Sequence, residues 1–158
     1  MEAAKKESYF NNTIFVFIGD HGIRGNAGDL FPKAYTSKGL TCEHVPLLFY
    51  WPKMLPAKRI HDVCSQVDIL PSIASIAKVP YYNNTFGRDL FDTLALKTGN
   101  SISNEKFAFI IDHDVKTVGL VSAEYYFLKD TKTGKEEMVS VINNEEIKSW
   151  KNFVEVIQ

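Results

Sequence analysis

A run of five apolar residues that ends in a polar turn limits what this chain can fold into. The run extends from Ile14 to Ile18 without polar alternation and leads directly into Gly-Asp-His-Gly, which begins at Gly19. Unbroken β-branched and aromatic residues predict a strand buried on both faces, as in a parallel α/β sheet. Because ligands in such sheets bind at the carboxyl ends of strands, the turn is a candidate functional site.

The turn places Asp20 next to His21, and this pair predicts a metal site. A carboxylate oxygen and an imidazole nitrogen are good ligands for a divalent transition metal, and flanking glycines let the backbone turn sharply enough for both side chains to face one ion. The alternative is an ordinary turn in which Asp20 bonds its own backbone and His21 is solvated. The position at a strand end favours the metal interpretation.

Three further blocks follow in order. They are His-Val-Pro-Leu-Leu-Phe-Tyr from His44, Ser-Gln-Val-Asp-Ile-Leu-Pro-Ser from Ser65 and Phe-Gly-Arg-Asp-Leu-Phe from Phe86. With the first block, over residues 9–92, they resemble the sulfatase-like branch of the alkaline phosphatase superfamily, and most closely its lipoteichoic acid synthase and phosphoglycerol transferase group. The resemblance implies an α/β fold, here the C-terminal part of an alkaline-phosphatase-like core.

The resemblance also implies a metal-dependent hydrolase or transferase that acts on sulfate esters or phosphodiesters. Such enzymes use a Ser, Thr or formylglycine nucleophile beside one or two divalent metals. Neither Cys-x-Pro-x-Arg nor Ser-x-Pro-x-Arg occurs in the chain, so we assign no nucleophile to it. We therefore expect the N-terminal half of the same enzyme as a missing partner, and we expect these residues alone to be inactive.

The cofactor implied by the resemblance is a divalent ion: manganese, magnesium, zinc and calcium all occur in the superfamily. Imidazole is a poor ligand for hard cations, so the Asp20–His21 pair mildly favours a transition metal. His44 matches a family position near the leaving group or substrate, where it would donate a proton or hydrogen bond. Its alternative is a strand-start histidine bonded to backbone.

A polar stretch over residues 22–43 is predicted to be a long loop, a type of segment that is often functional. It contains Arg24, Lys33 and Lys38. We interpret Arg24 and Lys38 as candidate substrate-binding residues, since both side chains bind phosphate and sulfate. A solvated loop face is the commoner explanation of such charges.

Other polar residues are interpreted as structural. Asp68 is predicted to cap a helix that carries Pro71 in its first turn. Arg88 and Asp89 are predicted to hold the chain where it leaves that helix. The segment from Asp112 to Asp114 includes a histidine and is metal-like in isolation, but a hairpin turn explains it.

After residue 97 the pattern changes to short β-type runs with short connections, which favours an antiparallel meander. The predicted strands are Phe107–Ile111, Thr117–Val121, Tyr125–Leu128 and Met138–Ile142. A helix is predicted after Asn143, with Ile147, Trp150, Val154 and Ile157 on one face. We therefore divide the chain into residues 1–97, the C-terminal part of the α/β core, and residues 104–158, an antiparallel β subdomain with a closing helix.

The net charge and the lengths of the apolar runs argue against a nucleic-acid-binding protein and against a transmembrane segment in these residues. A net charge of -1 over 158 residues offers no electrostatic basis for binding nucleic acid. No apolar run approaches the ~20 residues of a transmembrane segment. By resemblance we expect the full-length protein in the bacterial cell envelope, outside the cytoplasmic membrane, and these residues alone to be soluble.

Cys42 and Cys64 are predicted to be free thiols.

Several alternatives stay open. The chain could be a non-catalytic module of the same fold, or part of a superfamily phosphomonoesterase or mutase. The residues do not choose between sulfate and phosphate, since both are tetrahedral anions that need similar neutralisation. A strand such as Ile14–Ile18 needs neighbours at both edges, so we expect these residues alone to show self-association, a rearranged sheet or reduced stability.

Overall fold

The computed structural model describes residues 1–92, 106–145 and 147. The described residues form short 3-10 turns, three α-helices and six strands. The strands are β1 (Phe15–Ile18), β2 (Leu47–Tyr50), β3 (Ala108–Asp112), β4 (Thr117–Val121), β5 (Tyr125–Asp130) and β6 (Glu136–Ser140); the helices are α1 (Lys33–Ser37), α2 (Leu40–Glu43) and α3 (Ile69–Ala77). The mixed α/β composition confirms the predicted fold class.

The β1 strand differs from the prediction in its direction. It pairs antiparallel with β2 in a two-stranded sheet, with Phe15 opposite Tyr50 and Ile18 opposite Leu47. A continuous apolar run indicates burial on two faces but carries no information about the direction of the neighbouring strand. The expected parallel pairing of this strand is therefore wrong for the described residues.

Aromatic rings cover part of both faces of the β1–β2 sheet. Phe10 packs on Phe15 and Tyr50, with ring centroids 5.6 and 6.2 Å away. On the opposite face, Phe49 meets Phe91 edge to face at 5.2 Å. Phe17 and Leu48 are cross-strand neighbours on the same face as Phe15 and Tyr50, nearer the carboxyl end of β1. No aromatic ring contact is found at this described pair, and Phe17 is 47% exposed and Leu48 53% exposed. The predicted burial of β1 on both faces is thus wrong at its carboxyl end.

The stretch between β1 and β2 is more ordered than predicted. It contains α1 and α2, joined through Gly39 in the left-handed conformation (φ 72°). A side chain at that position would also collide with the Arg24 guanidinium, since a Cβ would lie 2.7 Å from Nη1. Helices this short span little more than one turn, so the 3.6-residue period cannot be recognised in the sequence.

The predicted helix after Asp68 is present as α3, with Pro71 in its first turn. Asp68 itself acts one turn earlier than predicted. It forms a capping box with Ser65 around a 3-10 turn, and its carboxylate also accepts the Arg88 N–H at 2.9 Å. The Arg88 guanidinium donates to the Val63 carbonyl, which agrees with the structural role predicted for Arg88.

The second half of the described chain is a regular meander with the strand order β3-β4-β5-β6, all antiparallel. This confirms the predicted meander. Its core contains Ile110, Tyr126 and Val141, joined by Leu40 of α2. The closing helix was predicted to begin after Asn143, but residues 143–145 and 147 are not helical. The rest of that helix and the boundary between residues 97 and 104 fall outside the described residues, so both stay predictions.

Two smaller findings complete the fold. Cys42 and Cys64 are free thiols, as predicted. Burial raises the pKa of the Cys64 thiol. Across the described ranges, no helix has both the length and the apolar character needed to cross a membrane.

Candidate metal motif beside the β1–β2 sheet

The backbone of the Gly-Asp-His-Gly motif bonds the segment that runs from α2 into β2. The Gly19 N–H donates to the Pro46 carbonyl at 3.2 Å, and the Gly22 N–H donates to the Cys42 carbonyl at 2.6 Å. The backbone at residue 22 passes so close to its neighbour that a Cβ there would lie 2.3 Å from the Thr41 carbonyl oxygen. Any larger residue at this position would collide with that carbonyl oxygen. The second glycine of the motif is therefore required for the close contact between the two backbone segments.

Gln66 holds the motif from the other side. Its side-chain amide donates to the carbonyls of Gly19 and Asp20, at 3.2 and 3.0 Å. It lies in the 3-10 turn that precedes α3. The turn therefore has hydrogen-bond partners from two separate segments, which limits the rotation of its peptide groups. Gln66 was not singled out from the sequence; its place inside the block that begins at Ser65 was the only signal.

The Asp20 and His21 side chains are open to solvent, with exposed fractions of 90% and 72%. The Asp20 Oδ1 accepts the His21 N–H at 2.9 Å, and the imidazole Nδ1 lies 2.8 Å from the Gly22 carbonyl oxygen. A carbonyl only accepts, so Nδ1 must carry the proton. In the neutral ring the Nε2 lone pair is then free, which is the arrangement typical of metal-binding histidines.

Charges at the motif favour an ionised carboxylate. The hydrogen bond from the His21 N–H, followed by the nearby imidazole, lowers the pKa of Asp20. The Gly22 carbonyl, followed by the Asp20 carboxylate, raises the pKa of His21. Protons therefore compete with a cation more for the imidazole than for the carboxylate.

The pair has the chemistry and spacing of two metal ligands. The Asp20 Oδ2 and His21 Nε2 atoms are 3.8 Å apart, and an ion about 2.0–2.2 Å from each would contact both. Within the described part of the chain, no cluster of three or more His, Cys, Asp or Glu side chains could hold a metal ion. The residues present therefore fit two ligands of a larger set.

His44 is joined to this motif through its backbone neighbours. It stands between Cys42 and Pro46, whose carbonyls bond Gly22 and Gly19. Its role near the leaving group stays a prediction. Its ring is exposed and forms a cluster with Phe31 and Tyr35, at centroid distances of 5.8 and 5.9 Å.

The two predicted substrate-binding cations are engaged elsewhere. The Arg24 guanidinium lies 2.6 Å from the Asp112 carboxylate, and the Lys38 ammonium lies 2.6 Å from Glu137. Both therefore face the meander through an ion pair. Their role in binding substrate stays a prediction, and the carboxylate partners were not foreseen.

The segment from Asp112 to Asp114 forms the predicted hairpin turn between β3 and β4. The Asp112 Oδ1 accepts the N–H groups of Asp114 and Val115, at 2.9 and 3.1 Å. Burial disfavours the Asp112 carboxylate, but the Val115 N–H, the Arg24 guanidinium and the Asp114 N–H outweigh it and lower its pKa. The turn interpretation is confirmed.

Comparison with known proteins identifies the family to which the chain is similar. The sulfatase family model matches residues 1–79. The chain is 29% identical over 103 residues to arylsulfatase K of Xenopus laevis, covering 65% of this chain and 19% of that protein. It is also 29% identical over 103 residues to human arylsulfatase A (Homo sapiens), covering 61% of this chain and 20% of that protein. The chain thus spans about a fifth of the length of these relatives.

A solved structure supports the fold. It is that of BT4656 in complex with its substrate D-glucosamine-2-N,6-O-disulfate, with a TM-score of 0.54 and 16% identity, covering 88% of this chain and 30% of that one. These matches confirm the sulfatase side of the predicted resemblance. They leave the narrower lipoteichoic acid synthase and phosphoglycerol transferase assignment a prediction. The chain belongs to the sulfatase family.

Proposed function

We propose that the protein is a sulfatase-type hydrolase of sulfate esters and that Asp20 and His21 supply two ligands to its divalent metal. The observation that carries this proposal is the free Nε2 of His21, 3.8 Å from the Asp20 carboxylate, in a motif held on both sides by hydrogen bonds to its backbone. The similarity to two arylsulfatases favours sulfate over the phosphodiester alternative.

The chemistry assigned to the motif is electrostatic. A bound divalent cation would supply positive charge to the sulfate oxygens as negative charge develops on the leaving group. Asp20 and His21 would hold it, and the hydrogen bonds from the Gln66 amide to the motif's carbonyls would keep both residues in place. The nucleophile would come from residues outside this chain.

His44 is proposed as a hydrogen-bond or proton donor to the ester. The residue is exposed, the backbone on either side of it bonds the motif, and its own N–H bonds the Leu40 carbonyl at 2.9 Å. The backbone is therefore held at the end of α2 while the ring remains available. A proton donor in this position would contribute about 10²–10⁴-fold to the rate.

Three features of the proposal extend beyond the family assignment. The metal is proposed to be a transition metal such as manganese or zinc rather than calcium, with magnesium as a further alternative, on the chemistry of the imidazole ligand. Phosphoglycerol transfer is the second candidate reaction. The location in a cell envelope stays a prediction from the sequence resemblance.

The test uses the full-length protein with 4-nitrophenyl sulfate and bis(4-nitrophenyl) phosphate as alternative substrates. We expect metal-dependent hydrolysis of the sulfate ester that is abolished by Asp20→Ala or His21→Ala. Asp114→Ala and His113→Ala are matched controls, because they alter a neighbouring Asp and His in the β3–β4 turn. Preferential turnover of the phosphodiester would instead favour the transferase candidate.

A non-catalytic module is the remaining alternative. It predicts no turnover of either ester by the full-length protein at any metal concentration, together with an intact fold. His44→Gln separates the roles of that residue: a proton donor requires a large fall in kcat with an unchanged melting temperature. An equal fall with a poorer and a better leaving group would show that His44 binds substrate rather than protonating the leaving group.

A further inference from the structure

The segment between the motif and β2, residues 22–44, spans the whole width of the meander; we call it the bridging segment. Arg24 pairs with Asp112 at the end of β3, and Lys38 pairs with Glu137 in β6, each at 2.6 Å. β3 and β6 are the two outer strands of the four-stranded sheet. Their axes are about 14 Å apart at a usual spacing of about 4.8 Å between strands.

Apolar contact adds a third attachment of the segment to the meander, just after Lys38. Leu40 is 4% exposed and packs in the meander core with Ile110 and Tyr126. The Lys33 N–H also donates to the Asn144 side-chain oxygen at 2.7 Å. Two ion pairs at opposite edges, with a buried side chain between them, restrain both the position and the rotation of the segment.

The Arg24 end of the segment adjoins the metal motif. Arg24 is two residues beyond Gly22, whose N–H bonds the Cys42 carbonyl. The next residue, Gly25, donates its N–H to the Thr41 hydroxyl at 3.2 Å. Any displacement of the Arg24 backbone would therefore strain bonds on both sides of it, including the one that closes the motif.

Asp112 is built to hold Arg24 in a fixed place. Its side chain is only 11% exposed. One carboxylate oxygen is bound by the N–H groups of Asp114 and Val115, and the other faces Arg24. The orientation of the carboxylate is therefore set by the hairpin turn before Arg24 contacts it.

We propose that Asp112 is a positioning residue for the metal motif and acts through Arg24. In this role the meander influences the geometry at Asp20 and His21 through the bridging segment. The inference rests on the proposed function of the motif. In this inference Arg24 binds the Asp112 carboxylate of the meander rather than the substrate. A positioning role and a substrate-binding role of Arg24 predict different changes in kcat and KM.

The first test is steady-state kinetics of the full-length protein with Asp112→Asn. The asparagine oxygen can still accept the turn N–H groups, so the change removes the charge of the pair and keeps the hairpin. We expect kcat to fall about tenfold with KM within twofold, since small displacements of reacting groups are costly. If Arg24 instead bound the sulfate, Asp112→Asn would leave kcat unchanged and lower KM; that result would overturn the proposal.

A double-mutant cycle shows whether the two residues act through each other. We expect Arg24→Gln to match Asp112→Asn, the double variant to be no worse than either one, and Arg24→Lys to recover part of the activity. Effects that multiply in the double variant would overturn the proposal. Glu136→Gln is the matched control: it removes an ion pair with Lys129 (2.9 Å) that lies within the meander and includes no residue of the bridging segment, and it should leave kcat unchanged.

A second readout does not depend on turnover. Hydrogen exchange should show faster exchange of the Gly22 and Gly25 amides in Asp112→Asn than in the parent protein, with the β4–β5 amides unchanged. Manganese affinity, measured by calorimetry, should fall in the same variant. Unchanged exchange, or faster exchange with unchanged metal affinity and kcat, would overturn the positioning role. If the parent protein turns over no ester, the proposed function fails, while exchange and manganese affinity still decide this inference.

Discussion

The β1–β2 sheet and the meander are both antiparallel, yet they are stabilised in different ways. The meander strands are linked by the short connections 113–116, 122–124 and 131–135, so each strand meets its neighbour almost at once. β1 and β2 are separated by residues 19–46 and depend on Phe10 and Phe91 from elsewhere for cover. The pairing of the meander strands therefore depends on residues that are close in the sequence. The pairing of β1 with β2 depends on segments that are far apart in the sequence.

The two regions also differ in what they leave open. The meander buries Tyr126 almost completely, at 2% exposure. The β1–β2 sheet exposes Phe17 and Leu48 on one face, directly opposite each other. An exposed pair of large apolar residues on a two-stranded sheet marks a surface suited to further contacts. The candidate metal motif is therefore in the region of the described structure that is less fully covered.

The largest expected effect comes from the residue that joins the two regions. Leu40→Ala removes a side chain that is 4% exposed and packs on the meander core, so we expect a loss of about 2–5 kcal/mol in the free energy of unfolding. Leu48→Ala makes the same chemical change at an exposed site and should cost less than about 1 kcal/mol. Urea unfolding of both variants measures this difference. Equal losses would contradict the assignment of Leu40 to a shared core.

A smaller effect is expected at alkaline pH and concerns the meander alone. Burial raises the pKa of Tyr126 to about 12, while a tyrosine in the unfolded chain titrates near 10. The unfolded state loses its proton first, so this stability contribution is complete below about pH 10 and is lost as pH rises towards 12. The maximum loss is about 2–3 kcal/mol.

Stability measured against pH for the parent protein and Tyr126→Phe isolates this effect. The variant has no phenol to ionise, so its stability should fall less steeply above pH 10. Parallel curves would show that the hydroxyl does not carry the alkaline sensitivity.

The smallest effect on stability is expected at the open face of the first sheet. Phe17→Ser should lower the free energy of unfolding by about 1 kcal/mol, because about half of the side chain (47%) is already exposed. Where the protein self-associates through this sheet, the change should also reduce that association, measured by light scattering at increasing concentration. Tyr82→Ser alters an aromatic residue that is also exposed and should leave association unchanged. A parent protein that is monomeric at every concentration would contradict the self-association prediction.

The sequence was sufficient to predict the features that depend on neighbouring residues. Short β-type runs with short connections predicted the meander, and the Asp112 turn followed from the ability of Asp to bond nearby N–H groups. Pro71 in the first turn of α3 was predictable because proline lacks an N–H that the first turn does not use. Local chemistry also singled out Asp20 and His21 at a strand end.

Tertiary structure decided the features that depend on which distant segment comes close. The direction of β2 relative to β1 is invisible in an apolar run, because burial on two faces is compatible with either direction. The carboxylate partners of Arg24 and Lys38 lie at least 88 residues further along the chain, so no spacing rule relates them. A charge in a loop is equally compatible with solvent, an anion or a carboxylate, and only the folded chain shows that Asp112 and Glu137 are within reach.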